Sequence, residues 1–245
     1  MNKRVERLRE QSVSIHPSVS SERAEIMTDF YKKEGVTTES VPVQRALAFK
    51  YLMEKKHLCI NEGELIVGER GPAPQETPTY PEVCIHSVED LETLDGREKV
   101  SFSVNEETKT RYREKIIPFW KGKSLRDKIM QEVSPEWRDA YRAGVFTEFM
   151  EQRSPGHTVL GDKIYKKGFR DFKQDIADAM NRLDFYSDPE ALDKRDQLRA
   201  MDITCDGIIA YANRYAEKLA ACALAEKNSE RKKELEVMAA MSAKI

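Results

Sequence analysis

Glu148, Glu151, Arg153, His157 and Asp162 fall within fifteen residues of one segment, FTEFMEQRSPGHTVLGDKIYKK at 146–167. Ser154-Pro155-Gly156 interrupts the helical pattern just before His157, which places the imidazole on a turn. A histidine on a glycine-preceded turn between two helices can point into a cleft and exchange a proton or hydrogen bond with a substrate hydroxyl. The same spacing also fits a surface loop with local caps and ion pairs, and spacing alone leaves both open.

Elsewhere the chemistry is sparse. The chain has no Walker loop, no GxGxxG, no HExxH and no GxSxG. His16 lies in a polar stretch, His57 ends a charged helix and His86 precedes a cap, so each has an ordinary structural reading. Cys59, Cys84, Cys205 and Cys222 are far apart with no CxxC, which argues against structural zinc and against a disulfide framework. No ligand cluster exists, so the chain is expected to bind no metal and no organic cofactor. Widely spaced free cysteines fit a reduced cytoplasm.

The elements that must position these residues read mostly as helices. Ser20 or Ser21 can cap a helix with Ala24, Met27, Phe30 and Tyr31 on one face. A second follows Pro42, with Val43, Leu47 and Tyr51 at steps of four. Residues 64–70, ELIVGER, carry three consecutive aliphatics between Gly63 and Gly68 and read as a short buried strand. GPAPQETPTYPE then brings Pro72, Pro74, Pro78 and Pro81, which predicts an extended loop. Ser87-x-x-Asp90 is a capping box with Gly96 as its stop. Ser103-x-x-Glu106 is expected to open a helix that Pro118 bends or ends, and Ser134-Pro135-Glu136 is a cap, a first-turn proline and a first-turn acid.

Two apolar stripes follow. Tyr165, Phe169, Phe172, Ile176, Met180 and Leu183 form the first; Met201, Cys205, Ile208, Ala212, Tyr215, Leu219 and Cys222 form the second. A short turn at Ser187-Asp188-Pro189 joins them into an expected antiparallel pair. Cys205 and Cys222 sit on that stripe and read as core packing. A last helix carries Leu235, Met238 and Met241 and reaches Ile245 without an exit residue, which suggests an interrupted chain. The fold class expected is mainly α with one or a few short strands.

Across 245 residues, 41 basic and 43 acidic side chains leave a net charge of −2, which argues against a nucleic-acid scaffold. The longest apolar stretch, LAACALA at 219–225, is far below the roughly 18 residues of a membrane span. MNKRVERLREQS has no apolar run after its charges, so no signal peptide is expected.

The string TEFMEQRSPGHTVLGDKIYKKGFRDFK resembles the N-terminal region of the glycyl radical enzymes, the pyruvate formate-lyase-like family, and within it the branch that dehydrates hydroxyproline. PVQRALAFKYLME, INEGELIVGERG, PTYPEVC, EKIIPFWKGK and SPEW support it, in order and over nearly the whole chain. Ser154 stands where the pattern suggests Ala. The ELIVGE run is shared across the family, whereas EFMEQR-x-PGHT is more specific. The resemblance implies that residues 1–245 form the N-terminal helical layer around an α/β barrel. It implies a cysteine thiyl, charged by a glycyl radical, that takes a hydrogen from the substrate before water leaves, yielding a pyrroline-5-carboxylate from trans-4-hydroxy-L-proline.

His157 matches a histidine near the departing hydroxyl, and Phe149 an aromatic wall on the ring. An activating enzyme using S-adenosylmethionine and an iron–sulfur cluster is implied, as are anaerobic metabolism, the remaining barrel as partner and a homodimer when complete. No nucleic acid or membrane is expected. The four cysteines lack a GCxE context and no RVxG loop is present, so the chain alone is expected to be inactive and truncated before both radical loops. A non-catalytic truncated or split-gene partner, and a formate acetyltransferase-like member with another substrate, are the competing readings.

Overall fold

Helices dominate the chain in a computed structural model whose described residues are 2–33, 36–145 and 161–244. The helices are α1 Lys3–Ser14, α2 Glu22–Tyr31, α3 Val41–Lys55, α4 Val88–Gly96, α5 Glu106–Arg111, α6 Ile117–Trp120, α7 Leu125–Glu132, α8 Pro135–Arg142, α9 Phe169–Asn181, α10 Ala191–Ala225 and α11 Ser229–Ser242. Strands β1 Ser18–Ser20 and β2 Glu76–Pro78 pair in parallel, with Val19 opposite Thr77. The chain divides into two compact units. One comprises Met1–Ile15, Asp29–Gln75 and Asp162–Ile245, and the other His16–Thr28 and Glu76–Gly161.

The first unit is built on α10, 35 residues long. Its expected stripe is largely confirmed: Cys205, Ala212, Tyr215 and Leu219 are buried, and α9 packs alongside it. Met201 departs from that stripe and is exposed, as is Met241 on α11. The pairing of α10 with α3, distant in sequence, was not expected. Val43, Ala46 and Ala200 form the contact, and Gly207 makes it close. A Cβ at Gly207 would stand 3.0 Å from the Lys50 Cα and 3.2 Å from the Phe49 ring. Leu58, Tyr215, Leu219, Ala223, Leu235 and Met238 form a second cluster, joining α11 to α10.

The second unit has short elements joined by buried polar contacts. Trp120 Nε1 donates to Thr28 Oγ1 at 2.9 Å, and that hydroxyl donates to Ala24 O at 2.6 Å. Tyr112, fully buried, donates its hydroxyl to Thr79 Oγ1. Arg23 pairs with Glu82, donates to Thr79 O at 3.0 Å and lies 3.9 Å over the Tyr80 ring. Ser103 extends the small sheet: Val19 N donates to Ser103 O at 3.0 Å and Ser103 N to Pro17 O at 2.8 Å.

Several local expectations are corrected. Residues 64–70 form no strand; Leu65 and Ile66 face outward, because a strand buried on both faces needs apolar cover and a paired edge on more than one side. The proline-rich stretch is not purely loop, since its Glu76, Thr77 and Pro78 form β2; Pro78 is tolerated at the strand's end. Asn105 caps α5 in place of Ser103, its side chain accepting from Thr108 N at 2.7 Å. Ser103 is taken by the sheet hydrogen bonds. Pro118 does not end the helical path. A π-turn at Tyr112–Ile116 opens the ladder ahead of it, and the proline falls in the first turn of α6, where its missing N–H costs little. Tyr165 lies in a 3₁₀ turn, Gly161–Tyr165, rather than on α9. The Ser87–Asp90 capping box and the Ser134 cap form as expected.

Candidate functional site

His157 and Phe149, with Glu148, Glu151 and Arg153, lie outside the described residues. Their flanks are described, and local chemistry holds each. On the N-terminal side, Ser134 caps α8 by accepting from Trp137 N at 3.3 Å. Trp137 and Tyr141 stack, with ring planes 7° apart, and Arg126 donates to the Tyr141 hydroxyl at 3.0 Å. α8 ends at Arg142, and just beyond it Gly144 takes a φ of +71°, the left-handed conformation glycine permits, with Gly144 N closing onto Tyr141 O at 3.0 Å.

On the C-terminal side, Asp162 pairs with Lys166 in the 3₁₀ turn. Asp171 folds back to accept from Gly168 N at 2.9 Å and so starts α9. Asp162 is therefore engaged locally, as the surface-loop reading expects, and is exposed.

His16 Nε2 and the Ser101 hydroxyl are 3.4 Å apart, and His57 and His86 also have partners. Among the described residues no group of three His, Cys, Asp or Glu side chains could hold a metal ion. All four cysteines are free thiols. Burial pushes the Cys205 thiol up, which favours its protonated form. Its place in the α10 interface agrees with the core reading.

Two polar networks had little signal in the sequence. Lys173 on α9 donates to Asp202 at 2.6 Å and Asp206 at 2.8 Å on α10, and Lys50 on α3 reaches Asp206 at 3.3 Å. Burial works against the Lys173 charge, but the two carboxylates outweigh it and raise its pKa. Burial likewise opposes the Asp206 charge, and Lys173 with Lys50 overcomes it, so its pKa falls. The available signal was the spacing of four between Asp202 and Asp206, which puts both on one helix face. The other network is Tyr112–Thr79–Arg23–Glu82. Its members come from three separate stretches, so no spacing could reveal it. Burial is the main cause that pushes Tyr112 up to about 12.

A helical chain with a two-stranded parallel sheet, and these sequence strings in order, defines its class. The chain belongs to the pyruvate formate lyase-like family, whose model matches residues 1–245. It is 50% identical over 236 residues to the trans-4-hydroxy-L-proline dehydratase of Clostridioides difficile, covering 96% of this chain and 30% of that protein. The isethionate sulfite-lyase of Oleidesulfovibrio alaskensis is 30% identical, with 93% of this chain and 28% of the relative covered. The crystal structure of the Clostridioides difficile hydroxyproline dehydratase with trans-4-hydroxy-L-proline bound superposes with a TM-score of 0.92 at 49% identity. That match covers 99% of this chain and 30% of the solved one. The fold is thus that of the N-terminal region of these enzymes, and the chain spans about 30% of the length of the relatives it matches.

Proposed function

We propose that this chain is the N-terminal part of a glycyl radical lyase that dehydrates trans-4-hydroxy-L-proline to a pyrroline-5-carboxylate. The observation that carries the reading is the 50% identity to the hydroxyproline dehydratase across 96% of the chain. The sulfite-lyase at 30% is markedly more distant, which favours this substrate over others in the family. In the complete enzyme a glycyl radical supplies hydrogen-atom abstraction through a cysteine thiyl, and neither residue's motif lies among these 245. An activating enzyme using S-adenosylmethionine and an iron–sulfur cluster installs that radical. The chain alone is inactive and binds no cofactor. The complete protein is a cytoplasmic homodimer of anaerobic metabolism.

Within this reading His157 hydrogen-bonds the substrate hydroxyl and gives it a proton, so that it departs as water. Proton donation matters because hydroxide is a poor leaving group. Phe149 packs on the pyrrolidine ring and contributes apolar contact rather than proton transfer.

The test is made in the complete, activated protein. His157→Ala lowers turnover by about 100-fold or more, the scale of a positioned acid–base group, while spin-quantified radical content stays intact. Phe149→Ala chiefly raises KM. Normal turnover of His157→Ala at normal radical content overturns the assignment of this loop to the active site.

A further inference from the structure

The first helix, α1, is charged against its own dipole. Lys3 and Arg4 stand in its first turn, where the open N–H groups already carry positive potential, and Glu6 offsets only one of them. No basic side chain stands in its last turn, where one would be favourable. No residue of α1 is buried. Val5 and Val13 are exposed, and of its three apolar side chains only Leu8 is half-buried. A helix of 12 residues with so little apolar contact is marginal in water by itself.

Polar contacts hold it to the first unit instead. Arg4 pairs with Glu234 of α11. Arg7 lies against Gly63, in the space a Cβ would fill, with its guanidinium 3.9 Å from the Glu62 carboxylate. Near the other end of α1, Gln75 donates its side-chain amide to Ser12 O. Gln75 has a φ of +59°, a left-handed backbone that few residues other than glycine adopt. The Glu234 pair continues inward. Arg231 donates to Glu234 Oε2 at 3.0 Å and to Glu64 O at 2.7 Å. Glu64 closes the turn it stands on by accepting from Asn61 N at 2.8 Å. Arg4 and Arg231 hold the Glu234 carboxyl below its ordinary pKa, so it is ionised at neutral pH.

We propose that α1 is a strap held down by charge, which steadies the Asn61–Glu64 turn when docked and loosens it when released, with Arg4–Glu234–Arg231 as the link. Fully exposed ion pairs hold little, and Arg7–Glu62 is close to that case. Arg4 and Glu234 differ: their side chains are 29% and 17% exposed, where water screens the attraction less. Release trades this pair for hydration and lets α1 melt, because little apolar surface holds it. Glu234 then keeps one guanidinium in place of two, and Arg231 is free to turn toward it and away from Glu64 O.

The experiment is amide hydrogen exchange on the dilute 245-residue chain. Salt is raised from about 0.01 M to about 1 M, which shortens the reach of charge from about 30 Å to about 3 Å. Protection of the α1 amides falls by about tenfold or more while that of α10 is unchanged. Arg4→Met brings the α1 amides to their high-salt rate already in low salt, and it speeds exchange of the Asn61 and Glu64 amides on their separate stretch of chain. Arg4→Lys, which keeps the charge, restores part of both. Arg9→Met, at an exposed position of the same helix, changes neither.

Protection of α1 that ignores salt overturns the proposal, since apolar packing then holds the helix. Fast α1 exchange at low salt overturns it as well, since the helix is then undocked throughout. Loss of α10 protection together with α1 is global unfolding and also overturns it. So does an Arg4→Met chain whose Asn61 and Glu64 amides exchange as in the wild type, because the strap would then have no link to the turn.

Discussion

The two units solve the problem of cohesion differently. Around α10, long helices with apolar stripes bury Leu219, Tyr215, Leu235 and Met238 in a continuous cluster. In the unit holding β1 and β2, the elements are short, and a helix of four to nine residues offers too little apolar face to hold by itself. There the indole of Trp120, the hydroxyls of Thr28 and Tyr112, and the Arg23–Glu82 pair tie separate stretches together. Apolar burial is non-directional and tolerates small shifts, whereas buried hydrogen bonds fail when one partner is removed. The two units should therefore break in different ways.

The largest expected loss is in the apolar unit. Leu219 has no exposed surface, so Leu219→Ala should destabilise by about 3 kcal/mol through lost transfer energy and an unfilled cavity. Thermal or urea denaturation followed by helical circular dichroism measures this; a cost within the error of the wild type would show that α10 and α11 do not depend on this cluster.

Next comes an alkaline limb from the polar unit. Below pH 10 Tyr112 keeps its proton in both folded and unfolded chains, and its contribution to stability is complete. As pH rises from 10 toward about 12, the unfolded chain ionises and the folded one does not, so stability falls by about 2–3 kcal/mol. Burial also raises the pKa of Tyr215 in the other unit. The difference between wild type and Tyr112→Phe isolates the Tyr112 share, and identical pH profiles for the two would contradict its buried, neutral state.

A smaller effect is expected from Thr28→Val. The shape is kept, but the acceptor of the Trp120 N–H and the donor to Ala24 O are removed. The cost should be about 1–2 kcal/mol. An accompanying change in indole fluorescence would place the loss at Trp120, and an unchanged Tm would show that the contact contributes nothing net.

The contrast also explains what could be read in advance. A helix announces itself through neighbours three and four residues apart, so α10, α11, the Ser87 capping box and the Ser134-Pro135 start were legible. Ser103 looked like a cap because its offset to Glu106 was right, but its backbone is committed to Val19 and Pro17. A local rule lost to a long-range hydrogen bond. The candidate site was legible only as a cluster of residue types around a turn, and its described member Asp162 proved to be locally paired.

The amino-acid sequence by itself determined the helical class, most helix starts, the family resemblance and the apolar stripes, because each depends on residues close along the chain. Tertiary structure alone decided that α3 lies on α10 at the glycine gap of Gly207, and that Thr79 accepts the Tyr112 hydroxyl. It also decided that Glu76, Thr77 and Pro78, rather than the aliphatic run at 64–70, form the paired strand. Strand pairing and helix contact need a partner brought from far along the chain, and local composition specifies that a partner is needed without specifying which one arrives.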